Sequence, residues 1–564
     1  MQNKKSKISL MTTVMMLIVA LIANAQTTND YRSSSSGNWN ERLNWERYNG
    51  TSWLTPTAGE GAPNSGKNVI TIRNGHSMTV TANLSTDQTI IESGGEVIIN
   101  SGVTFTTANG TGTDISIQGD LRNSGTVSLS SGATGEVNNG GFYRHTRNGG
   151  AIPAFTWNAG STCEVTGITN TAITTSSLPQ SYYNFVWNSP FQTVVVDIYP
   201  VGTYDISMAG DFIIESTGTG SLRFQTYWNC SFANKFGDVD GNFILKSGTL
   251  NFTNVGTCTN RGTTLRVKGD LIMEGGTISE TNSGFGAIEF NGSGIQNFIK
   301  TGGTIQDNVD FIIVSGATVN FGDQILNNSD PASDFTINNG GTMIIGNSDG
   351  ISISGNTGNI QVGGTRTYNT GANYTYNGLT AQITGSGLPA IVNNLTINNA
   401  NEVTLSNNIE VDGSFTNTTG SIFNTSDRSI ILFSSSNNNL GTINVNVAGS
   451  FETDDFGSLA SSGIITVLSD INGHGSFVHA DFTNSGTFNV QRYLSGGSHL
   501  PYRFITVPIV NASFTNIRKP GDYVPFWYDE TVDNPDLDFG WTSVRSVTFH
   551  NLGIVIHNKL CKTF

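Results

Sequence analysis

The chain has 564 residues, of which 12% are charged and 10% are aromatic, and its formal net charge is −15. A charge fraction about half the usual value, together with plentiful aromatics, excludes an intrinsically disordered chain. The acidity excludes a nucleic-acid partner, because binding to phosphates requires clustered lysine and arginine side chains.

Residues 1–25 predict a signal peptide. Three lysines within residues 4–7 precede an apolar run over residues 10–22, and Ala23-Asn24-Ala25 then supplies small residues before a cleavage site. The apolar run is too short to span a bilayer comfortably, and Gln26 in place of a cysteine disfavours a lipid anchor. An uncleaved anchor is the alternative. We therefore expect a secreted protein, extracellular or on the outer cell surface, without an integral membrane span.

Residues 26–66 are aromatic and polar, and we interpret them as an N-terminal cap. A stack of strands must cover the open edge of its first turn, since a bare edge invites aggregation. Trp39, Trp45 and Trp53 fit such a cap. A surface on which these indoles stack against carbohydrate is the alternative.

Residues 67–490 repeat one short phrase, in which three to five residues of alternating character are followed by glycine, asparagine or serine. A second form of the phrase is glycine, an acidic or amide residue, and an apolar residue, as at Gly119-Asp120-Leu121, Gly210-Asp211-Phe212, Gly241-Asn242-Phe243 and Gly269-Asp270-Leu271. Short alternating strands bury their apolar side only by stacking turn on turn, and the corners need residues that tolerate positive φ. We therefore predict an all-β fold, a right-handed parallel β-helix (β-solenoid) of about 17–21 turns, in which asparagines bond to their equivalents in the next turn. A string of β-sandwiches is the alternative.

The four cysteines have no C-x-x-C spacing, which argues against a zinc ribbon and a dense disulfide scaffold. Cys230 and Cys258 could meet on neighbouring turns and form a disulfide, or remain unpaired thiols, and the sequence leaves the state of Cys163 open as well.

The repeat phrase ends near residue 490. Residues 491–543 predict a small β-sandwich-like domain, which we expect to be incomplete. Residues 544–564 are unusually basic for this chain, and that shift indicates a truncated or frame-shifted tail.

Several of these phrases resemble large secreted repeat proteins of Bacteroidetes. The resemblance rests on Ser36-Gly37-Asn38-Trp39, Val69-Ile70-Thr71-Ile72-Arg73-Asn74-Gly75-His76, Asn393-Asn394-Leu395-Thr396-Ile397 and Val490-Gln491-Arg492-Tyr493. It implies a β-solenoid surface or extracellular protein, adhesin-like or uncharacterised, exported by the type IX secretion route. Proteins of this kind generally end in a C-terminal sorting domain, and no such domain follows residue 541 here.

Parallel β-helices include polysaccharide lyases and hydrolases, so paired carboxylates with a nearby histidine require attention. Asp454-Asp455 and Gly473-His474-Gly475, with Ile517-Arg518-Lys519 later in the chain, resemble the polygalacturonase motifs. The preceding Asn-Thr-Asp element is absent, and the basic triplet is permuted and lies beyond the repeats. We therefore interpret Asp454, Asp455 and His474 as turn residues, and as the catalytic candidates only if the protein is an enzyme.

The segment Gly237-Asp238-Val239-Asp240-Gly241-Asn242 begins like a calcium loop but lacks the glycine and glutamate that an EF-hand requires. We expect no resident cofactor or metal, apart from calcium bound loosely at carboxylate-bearing turns.

These features favour a structural or adhesive protein without catalytic activity. We expect a monomer that makes multivalent contacts with glycans or with cell-surface or matrix components. The alternatives are a pectin-lyase-like carbohydrate-active enzyme and a carbohydrate-binding module.

Overall fold

The computed structural model describes residues 26–199, 206–227, 235–255, 262–282, 284–491 and 493, together with strands Tyr502–Thr506, Tyr523–Tyr528, Trp541–Ser543 and Gly553–Asn558. The predicted signal peptide, Cys230, Cys258, Cys561 and residues 517–519 lie outside the described residues. The predictions made for them therefore stay predictions. The chain divides into two compact units, of which the first contains residues 1–469 and 474–491 and the second contains residues 470–473 and 492–564.

A complete turn of the first unit contributes three short strands, one to each of three faces. Thr89–Ile91, Glu96–Ile99 and Thr104–Thr107 form one turn. They pair in parallel with the next turn's three strands, Ile115–Ile117, Asp120–Asn123 and Thr126–Leu129. This arrangement continues for about 17 turns, so the predicted parallel β-solenoid is confirmed. Its right-handedness stays a prediction.

The first face consists of three successive parallel sheets. Its strands are Tyr31–Ser33, Ile70–Ile72, Thr89–Ile91, Ile115–Ile117, Gly135–Val137 and Thr156–Trp157; then Ser181–Tyr182, Ile206–Met208, Lys235–Val239, Gly262–Val267, Phe285–Phe290, Val309–Ile313, Phe335–Ile337 and Arg366–Tyr368; then Ile391–Val392, Ile409–Val411, Ser429–Leu432, Ser450–Thr453 and Ser476–Val478.

The second face is one uninterrupted ladder. Its strands are Gly37–Asn38, Ser77–Val80, Glu96–Ile99, Asp120–Asn123, Phe142–His145, Thr162–Val165, Asn184–Asn188, Phe212–Ser216, Phe243–Leu245, Leu271–Met273, Ile295–Lys300, Thr318–Gly322, Thr342–Ile345, Asn373–Tyr376, Asn394–Ile397, Phe415–Asn417, Asn437–Asn439, Ser458–Ser461 and Asp481–Asn484.

The third face is interrupted three times. Its strands are Leu84–Thr86, Thr104–Thr107 and Thr126–Leu129; then Val195–Tyr199, Ser221–Tyr227, Thr249–Val255, Thr277–Asn282 and Thr304–Ile305; then Leu326–Asn328 and Ile360–Val362; then Gln382–Ile383, Val403–Thr404, Ile422–Asn424, Thr442–Val445, Ile464–Val467 and Thr487–Val490. Two further short strands, Ser469–Asp470 and Gly473–His474, precede Ser476–Val478 in the chain. The described residues form no α-helix, only 3-10 turns at Arg42–Asn44 and Thr175–Ser177, and none of their helices is long and apolar enough for a membrane span.

The core lies inside the turns, where alternate side chains of every strand stack on their equivalents. Phe185, Phe212 and Phe243 illustrate this on the second face, with ring centroids 5.8 and 5.4 Å apart from one turn to the next. All three are fully buried. Burying such a side chain contributes about 1.5–3 kcal/mol to the stability of the fold. A single turn cannot bury it, because the apolar side chains at the edge of that turn would face water.

Glycines at the corners supply the backbone conformation that the turns require. Gly75 and Gly102, which end two of the repeat phrases, both have φ of 78°. Other side chains seldom adopt this region, so the corner glycines of the sequence pattern have a conformational role.

Residues 26–66 cover the first edge of the stack. Tyr31–Ser33 pairs in parallel with Ile70–Ile72 and antiparallel with Trp45–Tyr48, which in turn pairs antiparallel with Trp53–Leu54. The first face thus ends in a two-residue strand rather than in a long open edge, which is a common protection against edge-to-edge aggregation.

The second unit contains a four-stranded antiparallel sheet. Gly553–Asn558 lies between Tyr502–Thr506 and Tyr523–Tyr528, and Trp541–Ser543 is the outer strand beside Tyr523–Tyr528. The expected boundary at residue 543 therefore falls inside this sheet, because the segment assigned to an atypical tail supplies an internal strand.

Candidate functional site

Trp39 and Trp45 are fully buried inside the N-terminal cap. Their ring centroids lie 4.7 Å apart. The indole N–H of Trp39 donates to the Pro63 carbonyl at 2.9 Å, and that of Trp45 donates to the Trp39 carbonyl at 2.7 Å. Neither indole offers a face to a sugar, which favours the cap over the alternative of carbohydrate stacking at these two residues.

Trp53 is half-buried, and one of its faces is already covered. The guanidinium carbon of Arg32 lies 4.2 Å from the ring centroid, and Arg32 also pairs with Glu46 at 2.7 Å. A cation held over an indole stabilises that arrangement by about 0.5–1 kcal/mol at an exposed site. A sugar could therefore stack only on the opposite face of Trp53.

Asp454 and Asp455 form a turn. One carboxylate oxygen of Asp454 accepts hydrogen bonds from the backbone N–H groups of Phe456 and Gly457 at 2.9 and 2.6 Å. Asp455 is exposed. A side chain that closes its own turn in this way has a local structural role.

His474 lies near one end of strand Ser450–Thr453, and Asp454 lies at the opposite end. The backbone carbonyl of His474 accepts a hydrogen bond from the N–H of Ala448, which precedes strand Ser450–Thr453, whereas Asp454 follows that strand. The strand separates the two groups by roughly 10–15 Å. The structure therefore does not bring Asp454 and His474 together in one groove.

The calcium-like segment is not a loop. Gly237 and Asp238 belong to strand Lys235–Val239 of the first face. The carboxylate of Asp238 lies 3.4 Å from the guanidinium of Arg266 in the next turn, and that of Asp240 lies 2.7 Å from the ammonium of Lys268. These aspartates pair with cations of the protein, and this segment is not a calcium loop of the D-x-D type.

A continuous polar ladder runs along the outer side of the second face. We name Asn184, Asp211, Asn242, Asp270 and Asn297 the Asx ladder. In each of its four steps a side-chain oxygen accepts the backbone N–H of the equivalent residue one turn later, at 3.0, 2.8, 2.8 and 2.7 Å. The repeated glycine-Asx-apolar phrase is visible in the sequence, but this hydrogen bond, by which the phrase joins neighbouring turns, is not.

Asparagines also pair side chain to side chain, as predicted. Asn417 donates to the side-chain oxygen of Asn439 at 2.8 Å inside the stack, and Asn444 donates to that of Asn424 at 2.8 Å. Such pairs satisfy polar groups that would otherwise be buried without partners.

A row of outward threonines follows on the second face, at Thr375, Thr396 and Thr416, which we name the threonine row. These residues are directly opposite one another in successive turns and are half-buried. Their hydroxyl groups make no hydrogen bond to any residue that the structure describes. The threonine row is hard to recognise in the sequence, because each of its threonines lies in a different turn.

A buried histidine stabilises one corner. The ring of His145 is fully buried, with Nε2 donating to the Gly149 carbonyl at 2.8 Å and Nδ1 accepting from the Tyr143 hydroxyl at 3.2 Å. Asn123 donates to the same hydroxyl at 2.9 Å. Burial lowers the pKa of His145 to about 4, so the imidazole is neutral at physiological pH.

Comparisons with protein-family models, with curated proteins and with solved structures found no match for this chain.

Proposed function

We propose that this protein is a structural or adhesive protein without catalytic activity, which acts outside the cell or at its surface. It makes repeated weak contacts with glycans through the second face of the solenoid. The observation that supports this proposal is the threonine row, in which equivalent hydroxyl groups recur once per turn in register.

Neighbouring turns bring these hydroxyls within about 4.8 Å of one another. Hydroxyl groups hydrogen-bond the hydroxyls of a sugar in either direction, as donor or acceptor. Each contact alone is weak, but contacts on one rigid surface add because later ones form at high effective concentration.

Charge favours a neutral glycan over an acidic one. The chain carries 42 acidic against 27 basic residues, so an anionic polymer is repelled over the length of the solenoid. The threonine row itself contains no charged residue.

Affinity electrophoresis of the full chain in gels containing neutral or acidic polysaccharides tests this proposal. We expect neutral polysaccharide to retard the native protein and acidic polysaccharide to leave its mobility unchanged. The double variant Thr396→Lys/Thr416→Lys should lose the retardation. The matched control Thr336→Lys/Thr367→Lys changes two outward threonines that face each other on the first face, and it should keep the retardation.

Two results would overturn the proposal. One is the absence of retardation by any neutral polysaccharide. The other is the release of oligosaccharides from the polymer by the purified protein, which would favour the carbohydrate-active enzyme.

A further inference from the structure

Glu280 carries a carboxylate into the protein interior. It belongs to strand Thr277–Asn282 of the third face, and only 4% of its surface is exposed. Ile278, two residues earlier, is fully buried, so the strand alternation directs both side chains inward. The Oε1 atom of Glu280 has no hydrogen-bond partner among the described residues.

The next two turns place more oxygen atoms at the same corner, between the third and first faces. Asn308 donates from its side-chain amide to the Gly284 carbonyl at 3.2 Å, and Asn328 donates to the Asp307 carbonyl at 2.8 Å. These bonds hold the three corners over one another. The side-chain oxygen of Asn308 is buried and, within the described part of the chain, has no partner either.

The charged groups that act on Glu280 are acidic. Burial is the largest cause that raises the pKa of Glu280 to about 7, and the carboxylates of Asp307 and Asp330 act in the same direction, whereas hydrogen bonds from the backbone N–H groups of Gly284 and Thr281 act against it. An ionised carboxylate buried among other carboxylates is costly, because each ion removed from water loses several kcal/mol of hydration. A bound cation would compensate this cost.

We infer that this corner binds a calcium ion through the Glu280 carboxylate, the side-chain oxygen of Asn308 and the carboxylate of Asp307. No three histidine, cysteine or acidic side chains in the described ranges form a group that could hold a metal ion by themselves. Neutral oxygens must therefore supply much of the coordination. Calcium accepts carbonyl oxygens and water in irregular arrangements of six to eight ligands, whereas magnesium demands a near-ideal octahedron.

The test is calorimetric titration of the full, EDTA-treated chain with calcium chloride, together with thermal unfolding in calcium, magnesium or EDTA. We expect calcium to raise the melting temperature at about pH 8 and to have less effect at about pH 5, because protons compete for Glu280. Magnesium should have little effect at either pH.

Glu280→Gln keeps the size of the side chain and removes its charge, so this variant should fold and lose the calcium-binding event. Asp307→Asn should weaken calcium binding about tenfold or more. The matched control is Glu289→Gln. Burial also raises the pKa of Glu289, but Arg266 opposes that shift, so this variant should bind calcium like the native chain.

Equal calcium binding by the native chain and by Glu280→Gln would overturn the inference. The inference would also fail if calcium left the native melting temperature unchanged at about pH 8 and Glu280→Gln melted at a higher temperature than the native chain in EDTA. That result would show a protonated carboxylic acid and no ion site.

Discussion

The backbone of Gly241 lies directly against that of Gly210 one turn earlier, so that a Cβ atom at position 241 would lie 2.6 Å from the Gly210 carbonyl carbon. The same relationship recurs one turn later, where a Cβ at Gly269 would lie 2.4 Å from the Gly241 carbonyl oxygen. This close contact explains why glycine precedes Asn242 and Asp270 of the Asx ladder.

We predict that Gly241→Ala lowers the free energy of unfolding by about 1–3 kcal/mol, because the methyl group forces two turns apart. Chemical denaturation followed by circular dichroism measures the change. Gly294→Ala is the matched control, since a Cβ there would meet no atom within 4 Å. Equal losses in the two variants would contradict the close contact.

Asn242 separates two carboxylates of the Asx ladder, those of Asp211 and Asp270. Asn242→Asp keeps an acceptor oxygen but places three carboxylates on successive turns. We expect it to destabilise the protein at pH 7 by about 1 kcal/mol at low ionic strength, and by less at about 1 M salt, which screens the repulsion.

Denaturation of this variant at both ionic strengths measures the effect. Asn327→Asp is the control, because Asn327 is exposed and faces the uncharged Gln361. A loss of stability for Asn242→Asp that does not depend on ionic strength would count against charge repulsion as its cause.

The solenoid could be predicted because its determinants are local and repeated. Alternating strands such as Glu96–Ile99 and corner glycines such as Gly102 recur in every turn, and few other folds use that combination. The last strand of the third face, Thr487–Val490, ends at residue 490.

The candidate site could not be predicted to the same degree, because contacts between turns determine which of its side chains are buried and which lie close together. Trp39 and Trp45 predict a cap, with a carbohydrate-stacking surface as the alternative, and the cap is favoured by the hydrogen bonds of their indoles to the carbonyls of Pro63 and Trp39. Asp454 and His474 belong to two motifs that resemble those of one enzyme family, yet a whole strand separates them in space. The inward direction of Glu280 depends on a strand register that the sequence does not reveal.

His145 predicts a loss of stability in acid. Its folded pKa of about 4 lies below the ordinary value of 6.5, so the unfolded chain binds more protons between these two values. The contribution of the neutral His145 to the free energy of unfolding is complete above pH 6.5 and is lost as the pH falls towards 4. This contribution amounts to about 3 kcal/mol. His145→Gln should therefore be less stable than the native chain at pH 7, and that difference should shrink towards pH 4. A difference that stays constant with pH would contradict the neutral, buried imidazole.

Arg366 fixes a long surface segment between two turns. Its guanidinium is buried and donates to the backbone carbonyls of Ser352, Gly355 and Val362. Arg366→Lys keeps the charge but loses the planar fork of donors, so we expect a loss of about 2 kcal/mol or more and faster hydrogen exchange over residues 352–362. Mass-spectrometric exchange measures this, with Arg428→Lys as an exposed control. Unchanged protection of that segment in Arg366→Lys would show that the guanidinium does not hold it.

The parallel, in-register stacking of turns underlies every inference above, and engineered disulfides test it most directly. In a chain whose native cysteines are replaced by alanine, Thr396→Cys with Thr416→Cys joins positions that face each other in adjacent turns. Adjacent strands lie about 4.8 Å apart, within the range that a disulfide spans, whereas positions two turns apart do not. We predict rapid oxidation of the Thr396→Cys/Thr416→Cys pair and none for Thr396→Cys with Asn438→Cys. Failure of the first pair to oxidise, or equal oxidation of both pairs, would contradict the solenoid register.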